Sequence, residues 1–494
     1  MTGRYEGDRI SRSPIQMRPA TWRISMKWML LAWLGRMLGR LLLAMIRHPW
    51  IVLFATLAIG LQWTQVRYGA TATAVPIVVL AGLLVAWRIK RPDSFYRYVW
   101  WKTLAAFRRA WVYRRGWQPA MTTCGLDARY NEHQWLPTLR KVNRTGSVDR
   151  VAVRMLPGQI LDDYAEQGER LAMTFGAQDC RVATGKRQGH LDLCFLTFDP
   201  LQQVVPPIPP ADVPDLTALP VALREDGTVY RQQLLGNHIL IAGSTGAGKS
   251  GVEWVVIHAL SGGIRSGLVR LWGLDPKGGM EFAMGQHLFA RYCYGDVDPD
   301  AAEDKKQLSV AYARAFADLL EEAVQVMSER QRRLRGVTRL HTPTIDEPLY
   351  VVLVDELAAL TAYVDDRTES KRIKGALQML LSQGRAVGVT VIAALQDPRK
   401  EVLPFRDLFP LRIALRLTEK EQVDMVLGAG YRARGARCDR IPTGLHGVAY
   451  VVEDGIPEPA RIRFPHITDD QIDAMGRYIQ PDLRSVEDEG SEAA

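Results

Sequence analysis

Residues 237–250 read NHILIAGSTGAGKS, an apolar strand (His238–Ala242) running into Gly243, four residues, Gly248, Lys249 and Ser250. The pattern G-x-x-x-x-G-K-[ST], entered from a strand and left through a helix, is the chemistry of phosphate capture. Backbone N–H groups from Gly243, Ser244, Thr245, Gly246, Ala247, Gly248 and Gly251 wrap the anion. Lys249 reaches the β/γ-phosphates, Ser250 offers a hydroxyl to Mg²⁺, and the following helix adds its positive end. The expected ligands are ATP and Mg²⁺. Residues 349–356 (LYVVLVDE) form a second continuous apolar strand ending in two acids. Asp355 suits the Mg²⁺ shell and Glu356 suits the orientation or deprotonation of the attacking water. Leu268–Leu274, ending in Asp275, and Val389–Leu395, ending in Gln396, complete a set of buried strands. Gln396 places an amide where the γ-phosphate could be sensed.

Strands apolar throughout require cover on both faces, which means a mostly parallel sheet between helices. Ahead of this motor, Val151–Met155, Asp179–Val182 and Leu191–Leu196 read as strands and Ile160–Phe175 as a helix, a small α+β module. The string VVPPIPPADVP (204–214) cannot continue a helix or a central strand and reads as a linker.

The N-terminal region differs in kind. Residues 1–115 hold 19 Lys/Arg against 3 Asp/Glu, whereas the remaining 379 hold 44 against 51, so the net charge of +9 is wholly N-terminal. Ten of the 13 Trp lie within residues 1–117. Trp and Arg around apolar runs mark a bilayer interface. Pro49–Val66 and Ala70–Trp87 are charge-free runs of 18 residues each, about 27 Å as helices, the length of a membrane span. Arg36, Arg40 and Arg47 before the pair and Arg88, Lys90 and Arg91 after it put both termini in the cytoplasm of a multi-pass plasma-membrane protein. Met26–Ile46 and Tyr98–Trp117 read as helices lying in the interface. Five scattered cysteines without C-x-x-C spacing suit neither zinc nor a disulfide framework. Composition excludes wholesale disorder and collagen-like repeats.

The motor resembles the FtsK/SpoIIIE family of hexameric DNA translocases over roughly Leu219–Asp473. The matches are DGTVY (226–230), DPKGG (275–279), VDELAAL (354–360), GRAVGV (384–389), ALQDP (394–398) and FPLRIALRL (409–417). The resemblance implies a RecA-like fold, a homo-oligomeric ring, most simply a hexamer, and double-stranded DNA as cargo. It implies that Arg385 acts across the subunit boundary as an arginine finger, and that Arg406 and Lys420 are pore cations against the DNA backbone. Four positions depart from the family's pattern: Asp397 for Arg, Leu395 for Thr, Thr390 for His and Asp424 for Arg. They weaken phosphate contact, leaving Arg399 and Lys400 as compensating cations. The α+β module resembles the family's pre-motor domain, and the N-terminal hairpin and short overall length are similar to those of transfer proteins of actinobacterial conjugative elements. Coupling proteins that deliver single-stranded DNA, and type VII secretion ATPases with several motors in series, are the rival classes.

The expected organisation is an α/β fold with a P-loop motor at its centre. It comprises a basic segment (1–48), a transmembrane helical hairpin (49–87), a juxtamembrane segment (88–135), an α+β module (136–203), a linker (204–218), the motor (219–473) and an acidic tail (474–494).

Overall fold

The computed structural model describes residues 49–130, 133–296, 305–399, 404–456 and 458–479. The chain divides into two units, 1–96 and 97–494.

In the first unit, helical backbone runs over Pro49–Lys90 and is broken at Gly69 (φ 81°, ψ 177°), within the expected Arg67–Gly69 turn. Only glycine adopts that left-handed geometry without strain. Among the described residues no helix is long and apolar enough to cross a membrane, so the two expected spans are not borne out. The side chains of 49–59, 61, 64, 70–73 and 76–77 fall outside the described residues, as does the whole of Met26–Ile46.

The second unit begins with helical backbone over residues 97–123. Here the expectation of an interface helix needs correcting. Ala105, Tyr113, Trp117, Ala120 and Met121 are buried, and they pack with Val142, Val151, Phe175 and Phe195. The α+β module therefore takes this helix into its own core, and only Tyr98, Trp100, Phe107 and Trp111 keep large exposed faces. A hairpin of β1 (Ala128–Tyr130) and β2 (His133–Trp135) follows. The module's sheet consists of β3 (Thr138–Thr145), β4 (Val148–Arg154), β5 (Asp179–Thr184) and β6 (His190–Leu196), all antiparallel in the order β3-β4-β6-β5. The helix expected over Ile160–Phe175 is two short ones, Leu161–Glu166 and Gly168–Thr174. They meet at Gln167 (φ −91°, ψ 2°), and Gly168, which opens the second, packs closely on strand β5, where an added Cβ would lie 2.7 Å from the Cys180 carbonyl oxygen.

The motor is built on one ten-stranded sheet. Its strands are β7 (Leu219–Arg224), β8 (Val229–Gln232), β9 (Ile239–Ala242), β10 (Val269–Leu274), β11 (Phe289–Cys293), β12 (Leu349–Val354), β13 (Val389–Leu395), β14 (Leu411–Ala414), β15 (Val448–Glu453) and β16 (Ala460–Arg463). The order is β11-β10-β12-β13-β9-β14-β15-β16-β7-β8. From β11 to β14 every pairing is parallel; from β14 to β8 every pairing is antiparallel. Alternation along each strand feeds two cores. Leu240, Val352 and Val391 face the helices Lys305–Leu334 and Arg367–Gln383. Ile239, Val351 and Ile392 face the helices Lys249–Arg265 and Asp469–Ile479. Ile472, Met475 and Ile479 are buried there, so the motor runs six residues further than the expected boundary at Asp473.

The module is tied to the motor by ion pairs. Arg461 grips Asp199 through two nitrogens at 2.8 and 2.7 Å, Arg437 reaches Asp179 at 2.9 Å, and Arg181 pairs with Glu225. The cysteines are free thiols, with Cys124, Cys180 and Cys438 buried.

Candidate nucleotide site

In a parallel α/β sheet the carboxyl ends of the strands open onto one edge, and ligands bind there where neighbouring connections diverge. β9 lies between β13 and β14, next to the last strand of the parallel part, and the loop after it crosses that edge. Gly243 N–H donates to Leu395 O (3.2 Å) and Ser244 N–H to Arg416 O (2.9 Å), so the loop continues both neighbouring ladders before it turns. Gly246 (φ 70°) and Gly248 (φ 99°) make the turn, and Gly248 caps the helix Lys249–Arg265. A Cβ on Gly243 would sit 2.9 Å from Leu415 Cβ, and one on Gly248 3.1 Å from Gly447 N. The glycines are thus required by close packing as well as by backbone shape.

Lys249 is buried and folds back to donate to Gly243 O at 3.0 Å. Burial lowers the pKa of its ammonium, with nearby Glu356 opposing the shift. Asp355 and Glu356 follow β12 on the same edge. Asp355 is fully buried; Lys277 Nζ lies 2.7 Å from its Oδ2, and neither carboxylate oxygen receives a well-formed hydrogen bond. Burial raises the Asp355 carboxyl to about 6 against the pull of Lys277. Glu356 stands at the N-cap of the helix Leu357–Thr361 without capping it. Instead its Oε1 accepts from Gln396 N–H at 3.2 Å, and its Oε2 lies 3.6 Å from Lys277 Nζ. Gln396 in turn accepts at Oε1 from Thr245 Oγ1 at 2.9 Å, joining the phosphate loop to the acidic pair. Five expected residues, Lys249, Ser250, Asp355, Glu356 and Gln396, therefore stand on one edge.

This arrangement fits ATP and Mg²⁺. The loop turns at Gly246 and Gly248, while the N–H groups of Gly243, Ser244 and Ala247, expected to wrap the anion, are held by Leu395 O, Arg416 O and Ser244 O. Asp355 has unbonded carboxylate oxygens, and Ser250 is the first-turn hydroxyl of the loop's helix. Ser250 and Asp355 would hold the ion, which supplies charge neutralisation to the phosphate oxygens when bound. Lys249 supplies a compact positive charge, Glu356 a carboxylate to orient water, and Gln396 a link from the phosphate loop to that carboxylate.

Arg385 stands elsewhere. It lies in the turn Gly384–Val387 before β13, and its Nε donates to Gly236 O at 2.9 Å. Gln396 follows the same strand, seven residues or about 20 Å later, so Arg385 cannot serve its own phosphate loop. The expected DNA cations are scattered and partly engaged. Arg406 donates to the carbonyls of Asp424 (3.4 Å) and Met425 (3.2 Å) and pairs with Asp407, closing the end of the helix Lys420–Leu427. Lys420 is exposed beside Glu421, Arg399 is exposed beside Asp397, and Lys400 lies outside the described residues.

Four residues of the site were not singled out from sequence. Lys277 stands three positions past the end of β10, a parallel strand of the same sheet, which is a readable signal. Glu253, one helical turn beyond Lys249, is fully buried with neither oxygen hydrogen-bonded, and burial first, then Asp355, pushes the pKa of its carboxyl up. Its i+4 spacing from Lys249 is the available clue. Arg416 donates to Thr245 O at 2.9 Å, and His446 Nδ1 donates to Gly246 O at 2.7 Å, the histidine coming from 200 residues away. No local pattern announces His446.

Fold and site together define a P-loop ATPase. Residues 214–452, just under half of the chain, match the FtsK/SpoIIIE family. It is 28% identical over 277 residues to the DNA translocase FtsK of Rhizobium meliloti, covering 45% of this chain and 30% of that protein. To the DNA translocase FtsK of Chlorobaculum tepidum it is 27% identical over 261 residues, 50% of this chain and 30% of that one. The chain thus spans about a third of the length of these curated relatives. Among solved structures, the pCW3 conjugation coupling protein TcpA in its monomer form with ATPγS is similar (TM-score 0.47, 18% identity, 75% of this chain and 99% of that one). The cytoplasmic domain of the type VII secretion ATPase EccC of Thermomonospora curvata is another (TM-score 0.42, 20% identity, 57% and 33%).

Proposed function

We propose that this ATPase drives double-stranded DNA through a ring of its own copies, anchored at a membrane and acting in conjugative transfer. The observation that carries the ring is the split between the two edges of the motor sheet. The nucleotide groups stand on the carboxyl edge, and the family-matched Arg385 stands on the other, so a trans role requires a neighbour. An arginine supplied in trans stabilises charge developing at the γ-phosphate and is worth about 10³ to 10⁵ in rate in other P-loop systems. The curated relatives named as DNA translocases support the cargo. The break at Gly69 between two apolar runs, and the basic residues flanking them, support an anchor with both termini in the cytoplasm.

The test is ATPase activity of the full chain in detergent with double-stranded DNA, single-stranded DNA or none. Stimulation by duplex alone is expected. Preference for single strands would favour a coupling-protein role, and indifference to both would favour a protein cargo. A cysteine placed at Tyr68 should be labelled from outside intact cells; no labelling there would overturn the anchor.

A further inference from the structure

Lys277 is delivered to the site by a constructed turn. Asp275 is fully buried at the end of β10 and accepts from Lys277 N–H (3.3 Å), Glu281 N–H (2.9 Å) and Phe282 N–H (3.0 Å), fastening both ends of the loop. Gly278 (φ 72°) and Gly279 (φ 82°) reverse the chain, and a Cβ on Gly279 would come 3.0 Å from Tyr292 Oη. Tyr312 donates to Pro276 O from the other side. The result aims Lys277 Nζ between the two acids, 2.7 Å from Asp355 Oδ2 and 3.6 Å from Glu356 Oε2. Asp355 is sealed from solvent, whereas the lysine side chain is 30% exposed. One partner is fixed and the other has a way out.

Asp355 is also the carboxylate best placed for Mg²⁺. We propose that Lys277 is a positioning residue that holds Asp355 and Glu356 in the nucleotide-free chain, and that it gives up Asp355 when Mg²⁺ is taken up. Lysine and metal then compete for one buried carboxylate. A lone buried carboxylate is costly, so Lys277 holds Asp355 paired in the empty site, at the expense of metal affinity. Released from Asp355, its ammonium remains within reach of Glu356. This proposal rests on reading Asp355 as the metal's carboxylate.

The test uses the full chain and a non-hydrolysable fluorescent ATP analogue, titrated with Mg²⁺ at equilibrium. Lys277→Met is expected to lower the half-saturating Mg²⁺ by about five- to tenfold, the low end of the coupling between two binding events. Lys277→Arg should restore the wild-type value. A second measurement needs neither nucleotide nor metal. In urea unfolding, Lys277→Met should destabilise the wild-type chain and leave an Asp355→Asn chain unchanged, a coupling that mere packing would not produce. An unchanged or raised Mg²⁺ requirement in Lys277→Met would overturn the proposal, as would equal stability losses in both backgrounds. Asp355→Asn titrating like wild type would sink the metal-ligand reading itself.

Discussion

Two fully buried aspartates show how differently the α+β module and the motor treat charge. In the module, Asp149 on β4 accepts from Tyr113 Oη at 2.8 Å and from Arg144 at 2.8 Å, and it pairs with Arg108. Arg108 and Tyr113 belong to the helical segment 97–123, and Arg144 belongs to β3, so the cluster bolts the helix to the sheet. In the motor, Asp355 has one lysine and no well-formed hydrogen bond, and the buried Glu253 nearby accepts no hydrogen bond. A buried charge with its donors in place fixes structure, while one left short of donors is destabilising and is kept for what it can bind. The same residue type is a bolt in one region and a binding group in the other.

That contrast breaks most clearly in activity. Lys249→Ala and Asp355→Asn should each cut ATP turnover about 10³-fold or more, in the range of lost electrostatic stabilisation at a desolvated site, with circular dichroism unchanged. Near-normal turnover in either would remove it from the site. Asp149→Ala should leave the nucleotide affinity of the folded chain alone and cost about 3–5 kcal/mol in urea unfolding, since two arginines lose a buried partner. A cost below about 1 kcal/mol would mean that the module's core holds the helix without the cluster.

A third buried group sharpens the pH side. His238, near the amino edge, accepts from Val391 N–H at 3.0 Å, and burial first, then Arg385, lowers its pKa to about 3. An unfolded histidine titrates near 6.5. The unfolded chain therefore binds the proton first as pH falls below about 6.5, and the stability due to neutral His238 drains away down to about pH 3. Wild type should lose up to about 1.4 kcal/mol per pH unit more than His238→Gln in that window; parallel curves would refute the assignment. The smallest effect expected is on Asp355→Asn as a folded protein. Removing an under-bonded buried charge should raise stability at pH 7 by about 1 kcal/mol, the usual exchange of function for stability. A loss of that size would make Asp355 a structural residue like Asp149.

Most of the motor was legible because its evidence is local. A phosphate loop needs its glycines and lysine in one short run, and strands buried on both faces are apolar throughout, which is why β13 (Val389–Leu395) matches its expected bounds. What misled was burial on one side. The Trp-rich stretch Tyr98–Trp117 has the composition of an interface helix, yet Tyr113 and Trp117 are core residues, because an apolar stripe does not declare whether lipid or a sheet covers it. Short strands such as β8 and β16, four residues each, carry too few residues for periodicity to register.

The sequence alone determined the phosphate loop, the acidic pair at the end of β12, the parallel core and the Pro-rich linker, since each depends on neighbours a few residues apart. Tertiary structure decided the rest. Strand order set Arg385 on the edge away from its own nucleotide groups. A turn fastened by Asp275 carried Lys277 to Asp355, and packing brought His446 to Gly246 across 200 residues. These are meetings between distant segments, whose geometry is fixed only when the sheet and its two helical layers close around a common core.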